Sequence, residues 1–212
     1  MSEQILTQLA GEAARLAALG FMACTAGNVS ALLEREPLLV AMSPSGVDKG
    51  QLKPLDFIRV GADARPLPSD QRKPSDEALL HVRLYQAVGC SAVCHGHPPH
   101  AVALSLAAEG AIAVQGIEMQ KAFAGTQTHH CERNLPVVAN SQDMEELSRA
   151  VLAARNATVP AVVVRGHGVY AWGASVREAG RHLETVEFLC RVLLLARAPL
   201  GVPVPQSSAA QR

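Results

Sequence analysis

A layered α/β domain is what this sequence predicts, and three observations carry that prediction. Apolar residues recur at helical spacing in several segments, and between those segments lie short aliphatic runs of strand length. Helical and strand-like segments alternate along the chain, which points to a three-layer α/β/α arrangement. The length, 212 residues, suits one domain, with 49% hydrophobic residues to fill a core and only 3% aromatics, so that core must be aliphatic. No internal repeat or domain boundary interrupts residues 1–197, and the Pro-, Ser- and Ala-rich tail, 198–212, reads as disordered.

In order, residues 3–19 place Ile5, Leu6, Leu9, Ala13 and Leu16 on one helical face, and Gly20 stops the helix. Thr25-Ala26-Gly27-Asn28-Val29-Ser30 reads as a turn able to expose N–H groups to an anion, although Gly-Asn is commonest as a plain turn. Leu38–Met42 is a strand running into Ser43-Pro44-Ser45-Gly46-Val47-Asp48-Lys49-Gly50. Together the two loops can offer hydroxyls and N–H groups to a phosphate; the second alone reads equally well as a strand-to-helix turn. Phe57–Val60 is the next strand, and 61–73 a polar loop. Ser75 is placed as the N-cap of a helix carrying Leu79, Leu80, Val82 and Leu84, with Asp76 and Glu77 in its first turn, and Gly89 ends it.

The most informative stretch is Ala92-Val93-Cys94-His95-Gly96-His97-Pro98-Pro99-His100. Residues two apart at a strand end point the same way, so His95 and His97 can present two imidazoles to one point. Convergent neutral imidazoles begin a zinc-type site, while each histidine alone reads as a satisfied polar residue. His167, in Gly166-His167-Gly168 after the aliphatic run Ala161–Val164, is the best candidate for a third ligand. Cys94 should face the opposite side of the strand.

Pro98 and Pro99 open a helix with Val102, Leu104 and Leu106. After a strand at Ala111–Val114, Gly116–Phe123 forms a short helix or helical turn containing Glu118. Among apolar neighbours this acid is either solvated or, close to a metal, a general acid/base with raised pKa. His129 and His130 sit in a polar loop away from the site. Pro136–Val138 is a strand, Ser141 caps a helix to about Arg155, Val169–Trp172 is a strand, and Ser175–Glu178 is a capping box opening a helix to about Arg197.

Charge balance, 19 basic against 19 acidic residues, argues against a nucleic-acid or membrane-surface binder. No apolar run reaches membrane-span length, and the start, Met1-Ser2-Glu3-Gln4, carries no signal-peptide pattern. Five irregularly spaced cysteines without Cys-x-x-Cys suit a reducing cytoplasm.

These segments together, with Lys73–Glu77, Ile117–Ala122, Gly166–Gly173 and Glu184–Leu189, resemble the class II aldolase/adducin-head superfamily over about residues 5–197. Within it the chain is most similar to a branch that dehydrates 5-methylthio-D-ribulose 1-phosphate in L-methionine salvage. The resemblance implies a central mixed, mainly antiparallel sheet flanked by helices, and a homotetramer. It implies one zinc per subunit on His95, His97 and His167, and a phosphate site at Gly27, Asn28, Ser45, Gly46 and Ser75. In related aldolases the acid/base matches Glu77 and in the dehydratases Glu118, so these two acids compete for the role. The alternatives are a metal-dependent aldolase or epimerase acting on a phosphorylated ketose such as fuculose or ribulose phosphate, and a non-enzymatic interaction module like the adducin head.

Overall fold

The computed structural model describes residues 2–197; the tail expected to be disordered, 198–212, lies outside them. Helix α1 (Ser2–Ala18) leads to β1 (Asn28–Arg35), β2 (Leu38–Met42) and β3 (Ile58–Gly61). Then follow α2 (Ala78–Val88), β4 (Ala92–Gly96), α3 (Pro99–Ala107), β5 (Ala111–Gln115), β6 (Glu132–Val138), α4 (Met144–Ala154), β7 (Ala161–Val164), β8 (Gly168–Gly173) and α5 (Val176–Arg197). The strands form one sheet in the order β3-β2-β1-β4-β8-β7-β6-β5, antiparallel except at β6–β7. The sheet is mixed and mainly antiparallel, as expected.

Period-two burial splits the core into two layers. Val29, Ala31, Ala92, Cys94, Val169 and Ala171 face one side, packed with Leu9, Leu16, Leu104, Leu183 and Leu189 of α1, α3 and α5. Val93, Tyr170 and Trp172 face the other, under Leu80, Leu84, Leu147 and Val151 of α2 and α4. Cys94 is therefore on the face opposite His95, in an apolar setting that pushes its thiol pKa well up.

Several local expectations differ. Strand β1 begins at Asn28, inside the stretch read as a turn, because Asn28–Ala31 pairs with β4 and Ser30–Arg35 pairs with β2. Strand β6 begins at Glu132, four residues before the expected start, paired with β5 over Glu132–Pro136. Ser75 and Ser141 are not the N-caps. Helix α2 starts after Glu77, with Ser75 Oγ accepting from the Glu77 N–H at 3.3 Å. Asp143 caps α4, accepting from the N–H groups of Glu145 and Glu146.

Strand directions decide where the loops gather. Asn28 lies opposite His95 and Ser30 opposite Met42, so the start of β1 and the ends of β2 and β4 share one end of the sheet. Val138 pairs near Val164 and Gly168 opposite Val164, which adds the ends of β6 and β7 and the start of β8. Strand β5 runs the other way: its last residue, Gln115, lies opposite Glu132, at the start of β6.

Candidate active site

At the shared end of the sheet, His95, His97 and His167 converge, with their ligand atoms within 4.8 Å of one another. His95 is the last-but-one residue of β4, and His97 follows after Gly96. The His97 N–H donates to Phe21 O at 2.7 Å, and Glu187 of α5 accepts from the N–H groups of His100 and Ala101, which fixes the chain as it turns into α3. His167 sits in the tight β7–β8 turn, its N–H donating to Val164 O at 3.0 Å, with Gly166 in the left-handed region at φ 65°. Gly168 allows the convergence. A Cβ there would lie 2.4 Å from Gly96 O, 2.8 Å from His97 Cδ2 and 3.0 Å from His95 Cε1. Gly27 permits a similar approach, since a Cβ would lie 2.9 Å from His95 O.

The donor set fits a divalent cation. His95 Nδ1 donates to Val169 O at 3.1 Å, which leaves Nε2 as a bare lone pair. That lone pair is 3.0 Å from His97 Nε2, a spacing close to the roughly 3.3 Å between two nitrogens of a tetrahedral zinc site. Burial pushes the His95 pKa down to about 3, and burial lowers that of His97 too, so both rings are neutral ligands at neutral pH. Tyr170 stacks on His95 at 4.0 Å and 15°, holding the ring in place.

Glu77 reaches the same point. Its carboxylate oxygens lie 3.4 Å from His95 Nε2 and 3.3 Å from His167 Nε2. Burial works against its ionisation, but His95, the Asn28 amide and His167 outweigh it and hold the carboxyl at about 2. Asn28 Nδ2 donates to Glu77 Oε2 at 2.5 Å and to Ser75 Oγ at 3.0 Å. Those bonds link the start of β1 to the start of α2.

The cluster opens into a cleft of about 650 Å³. Its rim on the β1–β2 side carries Gly27, Asn28, Ser45, Gly46 and Ser75, so the structure brings together every residue expected to face a phosphate, beside the three histidines and Glu77. Another part of its wall comes from Asn140 to Gln142 of the β6–α4 loop and from Met144 at the start of α4. Sequence reasoning missed that wall, and it also missed Lys49 and Tyr170.

Glu118 is elsewhere. It follows β5, at the far end of the sheet, in the 3₁₀ turn Glu118–Ala122, and its side chain is 68% exposed. Lys121 Nζ lies 2.6 Å from it and His129 Nδ1 3.2 Å. The hydrogen bond from Lys121 holds its carboxyl below the ordinary value, with His129 adding to the effect. The expectation of a raised pKa fails in this setting because the neighbouring donors favour the charged form and outweigh the desolvation that opposes it.

Comparison with known proteins agrees with this geometry. The family described as "Class II Aldolase and Adducin N-terminal domain" matches residues 7–194. The chain belongs to this family. A methylthioribulose-1-phosphate dehydratase of Acidiphilium cryptum is 41% identical over 184 residues, covering 86% of each chain. One from Xanthomonas campestris pv. campestris is 40% identical over 200 residues, covering 90% of each. The crystal structure of an L-fuculose-1-phosphate aldolase from Thermus thermophilus superposes with a TM-score of 0.78 at 27% identity, covering 96% of this chain and 100% of that one. No helix among the described residues is long and apolar enough to cross a membrane.

Proposed function

We propose that this chain dehydrates 5-methylthio-D-ribulose 1-phosphate to 5-methylthio-2,3-dioxopentyl phosphate, a step of L-methionine salvage, using one zinc ion per subunit. The observation that carries the reading is the joining of a three-histidine cluster to the Asn28–Ser45–Ser75 rim in one cleft. The relatives of about 40% identity named for this dehydration support the choice of substrate.

His95, His97 and His167 are the proposed zinc ligands, and neutral imidazoles leave the ion its full charge. When bound, the ion supplies Lewis-acid stabilisation to negative charge developing on the C2 and C3 oxygens of the substrate. The residues of the chain divide the remaining work. Gly27, Asn28, Ser45, Gly46 and Ser75 hold the phosphate and set the register of the reacting carbons, drawing on binding energy remote from the breaking bond. Met144, which also lines the cleft, is an apolar side chain available to the methylthio group. A C3 proton has to be removed and the C4 hydroxyl protonated as it leaves. In this reading Glu77, ionised and held by Asn28 at the cluster, takes the C3 proton, and its bond to Asn28 supports that role. Glu118 reaches a cleft only if another subunit lends it, so its part in proton transfer depends on the homotetramer that we also propose. Residues 1–197 act as one domain in this reading, and the five free cysteines suit a cytoplasmic setting.

A second reading, aldol cleavage or epimerisation of a phosphorylated ketose with Glu77 as acid/base, is favoured by the placement of Glu77 rather than Glu118 at the cluster. An adducin-like interaction module has no use for three converging lone pairs beside a carboxylate. The test is turnover of methylthioribulose 1-phosphate beside fuculose and ribulose phosphates, following diketone absorbance against aldehyde release. Dehydration of the first substrate alone supports the proposal; aldehyde release from a sugar phosphate transfers the chain to the second reading.

A further inference from the structure

We propose that Lys49 supplies the counter-charge for the substrate's phosphate and latches together the two loops that receive it. The proposal rests on the phosphorylated-ketose reading of the cleft and adds to it a residue that neither the motifs nor the histidine cluster singled out. Lys49 lies in the short 3₁₀ turn Lys49–Gln51 after the Ser45-Gly46 loop, and only 2% of it is exposed. Its Nζ donates to Thr25 O at 2.8 Å and to Val47 O at 2.9 Å. An ammonium has three N–H donors, so one remains for a ligand.

Three features make this lysine more than a structural tie. First, it is the one Lys or Arg among the described residues lining the cleft, whose lining it shares with Gly27, Asn28, Ser45 and Gly46. A phosphate dianion seated there by hydroxyls and N–H groups alone would lack a cation on its own side of the cleft. Second, the ammonium makes no ion pair among the described residues. Adjacent Asp48 turns its carboxylate to the Gly50 N–H, and Glu77 is committed to Asn28 and the histidines. A buried cation served only by carbonyls is an expensive arrangement that an incoming anion relieves. Burial accordingly pushes its pKa below the usual lysine value, while Asp48 and Glu77 pull it back up. Third, the carbonyl it grips belongs to a strained segment. Cys24 and Thr25 sit at φ 55° and 65°, a left-handed conformation unusual for a β-branched threonine, with one residue, Ala26, between them and Gly27 and Asn28. The Lys49 bond to Thr25 O holds that segment against the Val47 loop, so both halves of the phosphate rim depend on one side chain.

The test uses the full metal-loaded chain and inorganic phosphate as probe, with Lys49→Met, which keeps the length and loses the charge, and Lys49→Arg. Isothermal titration of Lys49→Met should show phosphate affinity lowered roughly ten- to a hundredfold. KM for methylthioribulose 1-phosphate should rise in step while zinc content changes little, and Lys49→Arg should recover part of the loss. Phosphate affinity within twofold of wild type in Lys49→Met would overturn the proposal. Should Lys49→Met fail to fold, nitrogen NMR of the wild-type lysine ammonium groups decides, since added phosphate should shift one buried resonance; a silent resonance overturns the proposal equally. The two readings fail separately. Phosphate binding that depends on Lys49 in a protein that does not dehydrate methylthioribulose phosphate keeps the role of Lys49 and removes the dehydratase. Normal dehydration with phosphate binding indifferent to Lys49 does the reverse.

Discussion

Replacing Gly168 by alanine probes how the histidines are brought together. The added methyl would sit 2.4 Å from Gly96 O, a backbone atom held in the β4–β8 ladder. Real Cβ contacts stop near 3.0 Å, so the two strands must part by about 0.6 Å at this point. The same methyl meets His97 Cδ2 at 2.8 Å and His95 Cε1 at 3.0 Å, so the displacement falls on two proposed ligands at once. Metal–ligand distances tolerate only about 0.2 Å. Overpacking of this kind costs about 1–3 kcal/mol in the metal-free protein, and a misplaced ligand set should weaken zinc roughly ten- to a hundredfold. Urea unfolding of the metal-free chain gives the first quantity, and competition with a fluorescent chelator gives the second. Gly11→Ala is the matched control: nothing lies within 4 Å of its added methyl in α1, and helix propensity should make it more stable by roughly 0.5–1 kcal/mol. Zinc affinity within twofold of wild type in Gly168→Ala would refute the claim that close approach at this glycine assembles the site.

Three further outcomes are expected. Glu77→Gln should retain zinc and lose roughly a hundred- to ten-thousandfold in kcat; a near-wild-type rate with full metal content would remove Glu77 from proton transfer. Because Glu118 lies at the far end of its own sheet, mixing and reassembling Glu118→Gln with His167→Ala subunits should regenerate activity that neither has alone, and no recovery in mixed oligomers would contradict a role across subunits. Burial pushes the fully buried His81 from 6.5 down to about 4, with Glu77 partly opposing. The unfolded chain then binds more protons across that window, so stability should fall as pH drops from 6.5 to about 4, by up to about 3 kcal/mol. Urea titrations of the metal-free protein should show the slope and His81→Gln should reduce it, leaving the share of the other buried histidines such as His95; an identical slope in the variant would be the contrary result.

Much of this site was legible because its signals are local. The His95-Gly96-His97 spacing at a strand end needs only the two-residue period of a strand, and Gly166-His167-Gly168 marks a tight turn where a side chain would not fit. What escaped depended on relations between distant segments. Alternating helices and strands do not reveal strand direction, and the direction of β5 is what carries Glu118 away from the cleft. Strand β1 gave no local strand signal because Ala31-Leu32-Leu33-Glu34-Arg35 are good helix formers whose backbone β2 claims. Lys49 carried no signal of its own within the Ser43–Gly50 loop, since only the fold buries it and brings its ammonium to Thr25 O and Val47 O. Asn140 to Met144 carry no motif, and they reach the cleft through the parallel pairing of β6 with β7.

The most direct test of the account is to incubate zinc-loaded protein with 5-methylthio-D-ribulose 1-phosphate and weigh the product by mass spectrometry. The account predicts a single phosphorylated product lighter than the substrate by one water, with formation stopped by chelator and restored by zinc. Recovery of unchanged substrate, or of two fragments from a broken carbon–carbon bond, would contradict it.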